Sequence, residues 1–197
     1  MSFTNTSTFV TQDTECLWEE LRSGNRSSLE AIYRFHINDL YNFGMSLHAD
    51  DMLVKDAIQD VFIDLWNYRE KLSADVVIKQ YLFKCLANRI QKELGKNLRR
   101  SNLHRMNIQE TSVKSFEEVL IQNQSSTEIS KKIQKAMNHL PVRQKEILQY
   151  LFFQKLTYEE ASKLLEINIR STYTLAWKAI NTLKKAISVM LPLLIFS

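Results

Sequence analysis

Three glycines, two prolines and two cysteines in 197 residues leave this chain short of the residues that build turns, sheets and disulfides. So little Gly and Pro cannot supply a series of hairpin turns, and no pair of alternating apolar runs brackets one, which argues against a sheet protein. Cys16 and Cys85 lie far apart with no Cys or His at metal-ligand spacing. They read as reduced thiols of a cytosolic protein, neither a disulfide framework nor a zinc site. No Gly-rich phosphate loop, nucleophile–base pair or metal set is present, so neither an enzyme nor a bound cofactor is expected. No basic stretch followed by an apolar run opens the chain, so no signal peptide is expected and the location expected is cytoplasmic. Long apolar runs are missing too. The nearest is Ile187-Ser-Val-Met-Leu-Pro-Leu-Leu-Ile-Phe196, well short of the roughly 20 residues that cross a bilayer. A tail that folds back on the protein or a partner is the expectation there, with a membrane-surface contact as the alternative.

What remains is helix-forming. Leu, Ile, Lys, Glu and Gln dominate, 45% of residues are hydrophobic and the net charge is +4 at a pI near 9.0. The expected class is all-α, in two small helical domains joined by a polar linker. Residues 15–100 carry successive apolar stripes: Leu17, Trp18, Leu21; Leu29, Ile32, Tyr33; Leu40, Phe43, Leu47. Residues 101–126 lose the period and read as linker, with Phe116–Ile121 as a short helical patch, and Met1–Thr14 reads as a frayed tail. From Thr127 the helical spacing resumes through Ile129, Ile133, Ala136, Met137 and Leu140. Pro141 then opens a helix carrying Ile147, Leu148, Leu151 and Phe152. The second domain is expected over residues 127–187, with 188–197 as the apolar tail.

Thr157 to Lys185 is the most informative stretch. Thr157 and Glu160 have capping-box spacing, in which a hydroxyl and a carboxylate each satisfy an orphan amide at the helix start. Ala161, Leu164 and Leu165 supply an apolar face, and Asn168 caps a second helix carrying Thr172, Leu175, Ala176, Ala179, Ile180 and Leu183 at helical period. That stripe leaves Arg170, Tyr173, Thr174, Trp177, Lys178 and Asn181 facing outward. Arg170, Lys178, Lys184 and Lys185 meet no acid between Asn168 and Lys185. A basic helix propped by a short preceding one suits the DNA major groove; the plain alternative is a helical hairpin with a solvated basic face.

Two further helices have opposite electrical character. Over Asp50–Trp66, Val54, Ala57, Ile58, Val61, Phe62, Leu65 and Trp66 form one continuous stripe, and the other face shows Asp56, Gln59, Asp60, Ile63 and Asp64. An acidic face with an exposed Ile at its centre fits recognition by a basic protein partner; the plain alternative is a solvated helix face. Over Tyr81–Arg100, Lys84, Arg89, Lys92, Lys96, Arg99 and Arg100 oppose the single acid Glu93. Tyr81 and Phe83 at its start suit stacking on unpaired bases, or a place in the core.

This order closely resembles the extracytoplasmic-function (ECF) sigma factors of bacterial RNA polymerase. Asp56-Ala-Ile-Gln-Asp-Val-Phe-Ile-Asp-Leu-Trp66 is similar to the family's polymerase-binding helix, and Tyr81-Leu-Phe with Asn88-Arg89 to its promoter-melting helix. Leu140-Pro-Val-Arg-Gln-Lys-Glu-Ile-Leu148, Leu156-Thr-Tyr-Glu-Glu-Ala161 and Ser171-Thr-Tyr-Thr174 are similar to its C-terminal domain. The resemblance implies a sigma factor that binds core RNA polymerase and promoter DNA under an anti-sigma factor, and takes no small-molecule substrate. It places Asp56, Gln59, Asp60, Ile63 and Asp64 on the polymerase clamp, and Phe152 and Phe153 in a groove for the polymerase flap. Lys84, Asn88, Arg89 and Lys92, with Lys96, Arg99 and Arg100 beyond them, would face the minus-ten element. Arg170, Ser171, Thr172, Tyr173, Thr174 and Lys178 would face the minus-thirty-five element. Three positions depart from the family pattern: Ala87 where Arg is frequent, Gly95 where a basic residue is usual, and Glu166 where the turn commonly has Gly. The competing possibility is a two-domain helix-turn-helix regulator that does not serve polymerase. A purely protein-binding helical module sits poorly with the basic helix.

Overall fold

The computed structural model describes residues 16–105, 133 and 135–188. Every regular element among them is helical: α1 (residues 16–22), α2 (Arg26–Leu47), α3 (Asp51–Asn67), a 3₁₀ turn (Arg69–Lys71), α4 (Ile78–Arg105), α5 (residues 135–138), α6 (Val142–Leu148) running into a π turn (Gln149–Phe153), α7 (Tyr158–Leu165) and α8 (Ile169–Ser188). The expected tail Met1–Thr14 lies outside the described residues, as do Phe116–Ile121, most of the expected linker and all of the expected 188–197 tail but Ser188, which ends α8. The first residues of that linker, 101–105, continue α4 instead.

The residues pack into two compact units. One comprises the described residues up to Ile90 together with Ser162–Glu166. Polar caps set the starts of its long helices: the Asn25 side chain accepts from the Ser27 amide at 2.9 Å and Asp50 from the Leu53 amide at 3.0 Å, each satisfying an orphan donor. The stripes then bury for the most part, with Tyr33 left exposed and Leu17, Leu29 and Trp66 half-buried. Trp18, Leu21, Ile32, Leu40, Phe43 and Leu47 meet Val54, Ala57, Ile58, Val61, Phe62 and Leu65, and from α4 Leu82, Phe83, Leu86 and Ile90. Each buried Val, Leu, Ile or Phe among them contributes on the order of 1.5–3 kcal/mol of transfer free energy. Phe43 and Phe83 stack with ring centroids 4.4 Å apart. The Trp18 indole donates to the Ser73 carbonyl at 2.9 Å and meets Tyr81 edge-on at 5.4 Å. Phe83 therefore belongs to the core, while Tyr81 is only half-buried. Where α2 runs against α3, Gly44 is required: a Cβ there would lie 2.6 Å from Val54 Cγ1.

The other unit comprises the described residues between Gln91 and Ala161 and those from Ile167 onward, with α6 packed on α8. Its core holds Ala136, Leu140, Ile147, Leu148, Tyr150, Ala176 and Ala179. Ile133, expected in the stripe, is exposed. So is Phe152, and the cause is local: Gln154 donates to Gln149 at 2.9 Å, an i→i+5 bond. The wider turn shifts the helical register, so Tyr150 goes inward and Phe152 and Phe153 turn out.

Candidate functional site

The acidic face of α3 stays on the surface. Asp56, Gln59 and Asp64 are exposed, and Ile63 keeps 47% of its area in solvent although it is fully apolar. Ile63 and Gln59 line a groove of about 980 Å³ between α2 and α3, whose walls also include Tyr33, Ile37, Phe62 and Trp66. Tyr33 meets Phe62 edge-on at 5.1 Å. At one part of the wall Asp51 accepts from Tyr41 Oη and Lys55 Nζ, each at 2.8 Å, and these bonds hold its carboxyl below the ordinary value. The α2 wall was missed by sequence reasoning, which assigned Tyr33 to the core. Its signal is present: Tyr33, Ile37 and Tyr41 recur four apart, a second apolar line beside the buried one.

The basic helix α4 does not present its cations alike. Asn88, Lys92 and Lys96 lie four apart and are exposed, with Lys96 bonded to Glu93 at 2.7 Å. Arg89 turns toward α3, where its Nε donates to Asp60 Oδ2 at 2.9 Å and its Nη1 lies 3.6 Å from Asp64 Oδ2. Two residues expected to contact polymerase and one expected to contact DNA are thus tied into one charge cluster. Lys84 lies 2.7 Å from the Glu166 carboxylate. Arg99 and Arg100 continue the helix, with side chains outside the described residues. Ala87, one of the three departures from the family pattern, is completely buried. A Cβ on Gly95 would meet nothing within 4 Å, so no packing demands glycine there.

Both ends of α7 and the start of α8 carry the expected chemistry. Thr157 N donates to Glu160 Oε2 at 2.8 Å and Glu160 N to Thr157 Oγ1 at 3.2 Å, a complete capping box. The Asn168 side chain accepts from the Ser171 amide at 2.8 Å. Between the helices Glu166 has φ 55°, the left-handed geometry that glycine adopts without strain. Lys155, which sequence reasoning did not single out, has φ 55° as well. Arg170, Ser171, Tyr173, Thr174, Trp177 and Lys178 are all exposed. Thr172 is a correction: it is buried, its hydroxyl donates to the Asn168 carbonyl at 3.2 Å, and it cannot touch DNA. The threonine lies on the apolar stripe, and its methyl and satisfied hydroxyl suit the core.

In α6, Glu146 is buried yet ionisable. Tyr150 Oη donates to its Oε1 at 3.0 Å, and Gln91 Nε2 and Arg143 Nη1 donate to Oε2 at 2.8 and 3.1 Å. Burial still prevails over these bonds and raises its pKa. No group of His, Cys, Asp and Glu among the described residues is placed to hold a metal ion. Nor is any helix among them long and apolar enough to cross a membrane.

Residues 130–183 match the sequence profile of the family described as Sigma-70, region 4. The matched stretch takes in α6, α7 and most of α8. The chain is also 23% identical over 158 residues to the ECF RNA polymerase sigma factor SigM of Bacillus subtilis, covering 80% of this chain and 93% of the relative. Its fold is similar to that of the sigma factor RpoE of Bartonella quintana, solved with the anti-sigma factor NepR, at a TM-score of 0.63 and 20% identity over 81% of this chain and 96% of that one. It is similar too to CnrH, solved with the cytosolic domain of CnrY, at a TM-score of 0.60 and 15% identity over 89% and 97%. Together these support its being an extracytoplasmic-function sigma factor.

Proposed function

We propose that this chain binds core RNA polymerase and directs promoter recognition and transcription initiation, as a non-enzymatic subunit. In this reading residues 15–100 dock on the polymerase clamp and act at the minus-ten element. Residues 127–187 bind the minus-thirty-five element, with Phe152 and Phe153 meeting the flap. The observation that carries it is the pairing, in one chain, of an acid-free, fully capped outward face on α8 with an acidic face on α3 centred on an exposed Ile63. The first favours phosphate and base edges; the second favours a basic protein groove. An anti-sigma protein is the expected antagonist, supported by the complexes in which RpoE and CnrH were solved. The deciding experiment is transcription by core polymerase from promoter templates, intact or pre-melted, with and without the chain. Start-site-specific transcripts that depend on the chain are expected from both templates. If the chain binds duplex DNA but never changes where core polymerase starts, it is a free-standing helix-turn-helix regulator instead.

A further inference from the structure

Trp177 keeps 64% of its area in solvent, although an indole is a large apolar surface that gains by burial. Its place on α8 is not incidental. Seven residues beyond Arg170, it returns to within about 20° of the same azimuth, two turns along the helix. Thr174 and Lys178 flank it on one side and Tyr173 on the other, so Trp177 sits inside the arc that the proposed function aims at the duplex. Tyr173 is itself 51% exposed and is held from behind, stacked on Tyr158 of α7 with centroids 4.1 Å apart and planes at 21°. The arc therefore carries two cations, two small hydroxyls and two large rings, one of them pre-oriented. The major groove offers such a surface one apolar feature that varies with sequence, the C5-methyl group of thymine.

We propose that Trp177, flanked by the Tyr158–Tyr173 stack, is a specificity-determining residue that packs on thymine methyl groups of the upstream promoter duplex. The proposal rests on α8 being the DNA-facing helix. Arg170 and Lys178 supply phosphate or guanine contacts, and the indole supplies discrimination for T over C at a neighbouring base pair.

The test uses the full chain bound to core polymerase. Duplexes are selected from a random-sequence pool, and each thymine of the selected upstream element is then replaced in turn by deoxyuridine, which removes only the methyl group. For the wild type, at least one replacement should weaken binding about three- to tenfold, and for Trp177→Ala the same replacement should change it by less than about twofold. Trp177→Phe, which keeps an aromatic ring, should retain part of the effect. Because the residue is exposed, both variants should melt like the wild type. Equal deoxyuridine effects in wild type and Trp177→Ala overturn the proposal, as does a selected element without thymine at its discriminating positions. In either case the selection itself leaves the sigma-factor function standing. A complex that selects no duplex at all removes both.

Discussion

Glu166 and Lys155 each hold a left-handed backbone that costs a residue with a Cβ about 1 kcal/mol. Glu166→Gly should therefore raise the melting temperature of the full chain, with a gain of up to roughly 1 kcal/mol reduced by glycine's unfolded-state entropy. The ion pair to Lys84 lost with it is solvent-exposed on the Glu166 side and offsets part of the gain. Lys155→Gly should act alike; thermal melts of both variants check this, and a clear loss of stability in either contradicts the strain account. Glu146 offers a pH prediction. Burial raises its folded-state pKa above the unfolded value of 4.5, so between those two values the folded chain binds a proton that the unfolded chain does not. That group's contribution to stability therefore rises as pH falls through the window. Glu146→Gln should remove this term, so denaturant midpoints of variant and wild type should diverge between neutral pH and pH 4.5, the wild type gaining relative to the variant on acidification.

At the scale of the element, α2 and α3 approach closely because Gly44 has no side chain. Gly44→Ala sets a methyl 2.6 Å from Val54 Cγ1, and Val has few rotamers with which to yield. Overpacking of this kind costs about 1–3 kcal/mol, against a helix-propensity gain of about 1 kcal/mol. A net loss of stability is expected in urea melts. On α8, Arg170 stands in the first turn and Lys178 more than two turns on, so their roles should separate. Arg170→Ala should relax sequence preference by about 1–3 kcal/mol at one base pair, whereas Lys178→Ala, as a phosphate contact, should weaken all duplexes alike and flatten the salt dependence. Competition binding on selected and random duplexes across a salt series separates the two outcomes.

For the whole molecule, docking and melting should fail differently when damaged. Asp60→Lys with Ile63→Ala reverses charge and removes the apolar centre of the α3 face, and truncating such anchors costs around 2 kcal/mol each. Co-purification with core polymerase should be lost, and with it transcription from intact and pre-melted promoters alike. Asn88→Ala with Lys92→Ala touches only exposed positions on α4. It should depress transcription from the intact promoter and spare the pre-melted one, because the strands are already apart. Asp60→Lys also dissolves the cluster with Arg89, so circular dichroism must first show that the helices persist.

Local chemistry was legible in the residues alone. The capping box at Thr157 and Glu160, the Asn168 cap, the left-handed turn at Glu166 and the buried stripes of α3 and α8 each depend on contacts within about one turn, and sequence spacing encodes those directly. The all-helical class followed from the same local rules together with the scarcity of Gly and Pro. Contacts between elements were decided by tertiary structure. Nothing in the order of residues says that Arg89 turns to Asp60 and Asp64, that Tyr33 walls a groove beside Ile63, or that an extra residue in the turn after Leu148 puts Tyr150 inside and Phe152 outside. Those outcomes depend on which helices meet and in what register, and the energy that selects among them comes from packing whole faces together rather than from any one segment.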